Sequence, residues 1–280
     1  MMGSVVAAGS PPPLQLFCLA HAGGTSMLYR RWSQLVPTGV QVVPLELPGH
    51  GARRALPAPT QWPALIDDVC DEWRARRNPA LPFAVFGHSM GALVGLELLH
   101  ALRARGMGSA VWFGASASVA PDCRIRETHW LDCTLDQMID KLRALGGTPE
   151  QLLADRDLIG FLMPTLRADF HLCGTYSLQF GARGGSGTSA AAATREPLDC
   201  PLAVLTGRDD PATARAEDVV RWRSQTLGAF ARHRFDGGHF YLDGAPAPVL
   251  ACIVDSLTKA LAQPPQEASA RLPEGEAWIQ

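Results

Sequence analysis

Phe83-Ala84-Val85-Phe86-Gly87-His88-Ser89-Met90-Gly91-Ala92 is the stretch on which the fold turns. Its first four residues form a short apolar run, the mark of a buried strand. From Met90 to Arg105 the chain is strongly apolar at helical length, and it meets Gly106, a helix stop. Between them, Gly87-His88-Ser89-Met90-Gly91 fits G-x-S-x-G in a strand–turn–helix setting. That setting makes Ser89 a candidate nucleophile. A serine at so sharp a bend has strained dihedrals, so its neighbours two residues away must be small. Its Oγ then clears the sheet, and the following helix offers free N–H groups to developing negative charge. A glycine-rich turn without chemistry would show the same letters, but the strand before it and the helix after it argue against that reading.

Outward from this bend, the same alternation recurs. Leu14–Ala20, Val40–Leu47, Ala110–Ala115, Leu202–Thr206 and His233–Phe235 read as further strands, and 62–76 carries apolar residues at helical spacing. Short apolar runs alternating with helices predict an α/β protein, with a mostly parallel sheet covered on both faces. Residues 121–197 break the pattern, with helical spacing and no obvious strand, and end in a Gly/Ser/Ala-rich stretch, 181–193. They read as a helical insertion with a flexible return, which leaves 14–120 and 198–262 as the core. Residues 1–13 are small, apolar and proline-rich, a loose leader, and 263–280 read as a tail.

A serine hydroxyl needs a base, and the base needs an orienting acid. On a strand–turn–helix scaffold of this kind they follow the serine in the order acid, then histidine. His239, after Asp236-Gly237-Gly238, lies in a loop that permits close approach, whereas His233 sits in a strand-like alternation. His239 is the better candidate base. The acid belongs in the loop Gly207-Arg208-Asp209-Asp210-Pro211, and both Asp209 and Asp210 are open, since either could simply cap the turn. An oxyanion hole needs two backbone N–H groups: Met90, directly after the serine, and Ala22 in the loop His21-Ala22-Gly23-Gly24. His21 comes too early in the chain for the base and reads as structural. Cys18 reads as core. Arg53, Arg54, Arg74, Arg76 and Arg77 read as solvated faces.

Composition narrows the field. The chain has 280 residues, 47% hydrophobic and 19% charged, enough for a full core and too few charges for a disordered chain. A net charge of −2 disfavours a dedicated nucleic-acid binder. The leader lacks the positive n-region of a secretory signal, and no apolar run of about 20 residues suggests a membrane span. Seven cysteines at wide spacing without C-x-x-C read as free thiols in a reducing cytoplasm. H-E-x-x-H, P-loop and G-x-G-x-x-G motifs are missing, so metal and nucleotide chemistry lack support.

Six segments, in order, resemble the type II thioesterases that accompany polyketide and non-ribosomal peptide synthases. They are Cys18–Gly24, Glu46–Arg53, Phe86–Ala92, Pro164–Asp169, Gly207–Asp210 and Phe235–Phe240. The resemblance implies an α/β-hydrolase fold with a helical lid and a triad of Ser89, Asp210 and His239. It is this resemblance that selects Asp210 over Asp209. It further implies hydrolysis of acyl groups from the phosphopantetheine arm of an acyl or peptidyl carrier protein, to edit or unload an assembly line. The enzyme is expected to work as a cytoplasmic monomer, without metal or cofactor and away from nucleic acid and membrane. The alternatives are an oxygen-ester carboxylesterase or lipase on the same fold, and a catalytically dead binding protein.

Overall fold

Leu14–Leu19 (β1), Val40–Pro44 (β2), Phe83–His88 (β3), Phe113–Ser116 (β4), Leu202–Gly207 (β5) and Phe230–Phe235 (β6) form one parallel sheet. Its spatial order is β2-β1-β3-β4-β5-β6. The computed structural model describes residues 12–180, 195–244 and 246–262. Successive side chains along a strand point to opposite faces, and the core divides accordingly. Phe17, Leu19, Phe83, Val85, Leu202 and Val204 pack on one side with Trp62–Arg76 (α2) and Met90–Ala104 (α3). Leu14, Leu16, Cys18, Ala84, Phe86, Ala203 and Leu205 pack on the other with Trp32 of Trp32–Leu35 (α1). Val249, Leu250, Ile253 and Leu257 close that face from the C-terminal helix described below. Covered on both faces, the inner strands need apolar residues at every position, so they read as continuous runs.

Strand ends moved by a few residues. β2 stops at Pro44 rather than Leu47, although the Leu45 N–H still reaches the Cys18 carbonyl at 2.9 Å. β4 starts at Phe113, not Ala110, and β6 starts at Phe230, three residues before His233. β6 is an edge strand, and its Arg232 and Arg234 hide it from a search for apolar runs while guarding the edge against pairing.

Between β4 and β5 the described residues contribute Leu135–Leu145 (α4), Glu150–Ala154 (α5) and Arg156–Phe180 (α6), and no strand. After β5 come Ala216–Val220 (α7), Tyr241–Gly244 (α8) and Pro246–Ala262 (α9). The inserted helices own a separate core, with Trp130, Met138, Ile139, Leu153, Ile159, Met163, Leu166 and Phe170, and Ala22 packs against it. Thr134 and Gln137 start α4 with a reciprocal capping box. α6 is fastened to the body near its C-terminal end. Tyr176 Oη donates to the buried Glu97 carboxylate of α3 at 2.6 Å, Arg195 pairs with the other carboxylate oxygen, and Trp62 Nε1 donates to the Leu172 carbonyl at 3.0 Å. The expected Gly/Ser/Ala return at 181–193, leader residues 1–11 and the tail from 263 lie outside the described residues. Among the described residues no helix is long and apolar enough to cross a membrane. All seven cysteines are unpaired.

The chain runs β1 to β2 in one direction and then crosses back to place β3 on the other side of β1. In open parallel sheets, the crevice beyond the carboxyl ends of strands at such a reversal is where ligands bind. The loop after β1 contains Ala22, and the turn after β3 contains Ser89.

Candidate active site

Ser89 sits between β3 and α3 at φ 57° and ψ −112°, a backbone conformation costly for any residue with a Cβ. The bend holds because its flanks carry no side chain. A Cβ on Gly87 would overlap the Gly91 carbonyl, and one on Gly91 would overlap the Leu19 carbonyl of β1. The Ser89 N–H donates to the Ser116 carbonyl at 2.7 Å, which ties the bend to β4. Met90 is the first residue of α3, so its N–H belongs to the turn that has no partner within the helix.

His239 reaches Ser89 from the loop after β6. Its Nε2 lies 2.9 Å from Ser89 Oγ, and its Nδ1 lies 3.1 and 3.0 Å from the two carboxylate oxygens of Asp210. A carboxylate only accepts, so Nδ1 carries the proton and the Nε2 lone pair receives the serine hydroxyl. Asp210, 1% exposed, also accepts from the Ala212 N–H at 2.9 Å and Thr213 Oγ1 at 3.0 Å. Those bonds fix its plane. Asp209 is exposed, and its N–H donates to the Gly237 carbonyl. His233 lies on β6 among Asp255 and Lys259 of α9 and takes no part in the site.

A second histidine layer backs the first. His88 is 1% exposed and lies behind His239 with ring centroids 5.6 Å apart. Its Nδ1 joins a buried chain through Ser116 Oγ, at 2.8 Å, to Tyr241 Oη, at 2.6 Å. Burial, and then the neighbouring His239 and His21, push its pKa well down and keep it neutral. His21 packs edge-on against Phe240 and His88, and burial lowers its pKa as well. It shapes the wall of the site, in keeping with a structural role.

Sequence reasoning left two residues without a role, His50 and Asp169. Asp169, on α6, is 2% exposed, and one carboxylate oxygen accepts from the Gly23 N–H at 2.7 Å and from His50 Nε2 at 2.8 Å. His50 Nδ1 lies 3.0 Å from the Pro48 carbonyl. Both partners of the ring only accept, so both ring nitrogens carry protons and His50 is a buried imidazolium. Burial alone would lower its pKa; the hydrogen bond and charge of Asp169 outweigh that and raise it. Gly23, at φ +71°, is clasped from the same helix, where an added Cβ would lie 2.6 Å from Leu166 Cδ2. Thr165 Oγ1 donates to the Gly49 carbonyl at 3.1 Å. Thr165, Leu166 and Asp169 share one face of α6, at spacings of three and four. The inserted helix therefore grips the loop after β1, at Gly23 next to Ala22, and the loop after β2, at Gly49 and His50. Spacing could not reveal this, because His50 and Asp169 are 119 residues apart.

Arg53 departs from its expected solvated face. It forks onto Asp68 with two bonds of 2.7 Å and donates to the Glu46 carbonyl at 2.9 Å. The Glu46 carboxylate accepts from the Ser26 N–H and Oγ at 2.9 and 2.6 Å. Together these bonds brace the loops that follow β1 and β2.

A cavity of about 270 Å³ opens on Ser89 and His239 and is lined by Ala22, Gly23, Val119, Leu142, Leu166 and Phe170 among others. It is bounded below by the strand ends and above by α4 and α6. A serine hydroxyl on an imidazole that a carboxylate orients, unpaired helix N–H groups and a largely apolar chamber suit acyl transfer through a covalent intermediate.

The family described as Thioesterase domain matches residues 14–256. Gramicidin S biosynthesis protein GrsT of Aneurinibacillus migulanus is 33% identical over 235 residues, which cover 83% of this chain and 84% of that protein. Among solved structures, the RedJ thioesterase from the prodiginine biosynthetic pathway of Streptomyces coelicolor aligns with a TM-score of 0.75 at 31% identity, over 90% of this chain and 91% of that one. The type II thioesterase BorB from the borrelidin biosynthetic cluster aligns with a TM-score of 0.72 at 30% identity, over 88% of this chain and 94% of that one.

Proposed function

The chain belongs to the thioesterase family and is a thioester hydrolase of the α/β-hydrolase fold, and we propose that its substrates are acyl groups on the phosphopantetheine arm of acyl or peptidyl carrier proteins. It edits or unloads a polyketide or non-ribosomal peptide assembly line, as its relatives' biosynthetic settings suggest. Its unpaired cysteines fit work in a reducing cytoplasm. The observation that carries the chemistry is the bridging of Ser89 and Asp210 by one imidazole, at 2.9 and 3.0 Å.

The reaction runs in two halves. His239 Nε2 takes the Ser89 proton as Oγ attacks the thioester carbonyl, while Asp210 stabilises the imidazolium that forms. The Met90 and Ala22 N–H groups hold the oxyanion, and each such donor is worth about 2.7–4 kcal/mol. The C–S bond breaks, the pantetheine sulfur takes the proton from His239, and an acyl-serine remains. Water then gives a proton to His239 and its oxygen to the acyl carbon. Collapse returns the proton to Ser89 Oγ and releases the carboxylic acid. The insertion carrying α4–α6 acts as the lid over this chamber.

Ser89→Ala is expected to lower kcat on an acyl-carrier thioester by at least about a thousandfold, leaving only the rate due to binding and the oxyanion hole. Wild-type turnover by that variant would sink the assignment. Comparing kcat/KM for carrier-bound thioesters with matched oxygen esters tests the substrate class; a preference for the oxygen esters would make the protein a carboxylesterase. Labelling of Ser89 by a fluorophosphonate separates a working site from a dead one.

A further inference from the structure

The chamber over Ser89 has a chemical polarity that the hydrolytic steps do not use. Helix α6 serves as a ruler along it. Leu166 packs on Gly23, beside the thioester position, while Cys173 lies seven residues further on. At 1.5 Å per residue the two are about 10 Å apart. Leu166 clusters with Ile159, Leu142 and Leu145, which also line the chamber, so this stretch of its wall is apolar.

At the Cys173 end three charged side chains line the same chamber: Arg124, Glu127 and Lys141. Arg124 Nε donates to the Cys173 carbonyl at 3.3 Å, and the Glu127 N–H donates to the Gly174 carbonyl at 3.0 Å. Lys141 and Glu127 neutralise each other, with Nζ 3.3 Å from both carboxylate oxygens. Among the described residues Arg124 has no carboxylate within ion-pair distance, and the Cys173 carbonyl is its one hydrogen-bonding partner. A guanidinium offers five N–H donors. The far end of the chamber therefore holds a surplus positive charge with unused donors, in a pocket whose remaining lining is mostly apolar apart from Ser89, His239, Ser118, Thr148, His21 and, near His21, Asp243.

We propose that this end is an acceptor subsite, and that the enzyme prefers acyl chains bearing a keto, hydroxyl or carboxylate oxygen at their far end over plain alkyl chains of equal length. An extended chain advances about 1.2 Å per bond. The span of about 10 Å, less the reach of the arginine, suits acyl groups of roughly six to eight carbons. An alkyl terminus displaces water from Arg124 and returns no hydrogen bond. An oxygen acceptor replaces that water with a charge-assisted bond. The inference rests on the thioester-hydrolase reading of the same chamber and names the substrate that reading leaves open.

The test uses N-acetylcysteamine thioesters of octanoate, 7-oxo-octanoate and octanedioate (the half-thioester), with kcat/KM measured for the wild type, Arg124→Met and Arg124→Lys. In the wild type the two oxygenated substrates are expected to exceed octanoyl by at least about tenfold, the discrimination one charge-assisted hydrogen bond supports. In Arg124→Met that ratio falls towards one, and Arg124→Lys keeps part of it for the octanedioyl substrate. A wild-type ratio of one or less, or a ratio that survives Arg124→Met, overturns the proposal. The wild-type comparison and Arg124→Lys decide it even if Arg124→Met does not fold. If octanoyl turns over without discrimination, the subsite is wrong and the thioesterase reading stands. If none of the three thioesters, nor an acetyl thioester, turns over, the thioesterase reading fails and takes the subsite with it.

Discussion

Asp210 accepts hydrogen bonds from His239 Nδ1, the Ala212 N–H and Thr213 Oγ1, and these are what give the imidazole its tautomer. Asp210→Asn keeps the size of the side chain but lets its amide donate toward Nδ1. The proton then moves to Nε2, the face that should receive the serine hydroxyl. By the precedent of serine-protease triads, kcat is expected to fall by about 10⁴, with the fold unchanged by circular dichroism. A fall of less than tenfold would assign the acid role elsewhere. Asp209 is a poor substitute, because its side chain is exposed and only its backbone meets the histidine loop, at the Gly237 carbonyl. The sequence alone left these adjacent residues nearly equivalent. Burial and direction separate them, and neither is written in the spacing.

At the scale of the element, α6 links the insertion to the chemistry. One end is fastened through Tyr176 to Glu97, and its middle grips the loops after β1 and β2 through Thr165, Leu166 and Asp169. Pro164 removes one backbone N–H from the helix interior just before this contact face. The Gly23 N–H is spent on Asp169, which orients the peptide next to the Ala22 N–H. Asp169→Asn can still set one neutral oxygen against both donors, but it removes the negative charge that raises the His50 pKa, so the clasp on His50 and Gly23 weakens. Steady-state kinetics on a small acyl thioester should show kcat reduced about ten- to a hundredfold with KM little changed, because the oxyanion is felt only in the transition state. An equal rise in KM with kcat intact would mean that the contact shapes the chamber and leaves the oxyanion donors alone.

The whole molecule carries a pH signature through the His50–Asp169 pair. The folded-state pKa of His50 lies above its ordinary value of about 6.5. Its contribution is therefore complete below about pH 6.5 and is lost as pH rises through the folded value. Thermal melts of wild type and His50→Gln should differ most near pH 6 and converge towards pH 9; a gap that widens with pH would contradict the charged ring. As for what could be read in advance, the parallel sheet, the elbow at Ser89, the helical insertion and the family were legible in the chain. Each rests on local order: apolar runs bounded by glycine, a serine between two glycines, and motifs in fixed succession. Strand ends at Pro44, Phe113 and Phe230 were not, because pairing partners set them. Nor was the tie of Arg53 to Asp68, the imidazolium at His50, the pinning of α6 to Glu97, or the charged end of the chamber at Arg124. Local pattern is governed by the backbone's own periodicities and sterics, which act between neighbours and leave their mark on every strand, turn and helix. Which distant polar groups meet in the interior is decided only when the chain closes on itself, since their charge and hydrogen-bonding depend on partners 15, 79 or 119 residues away.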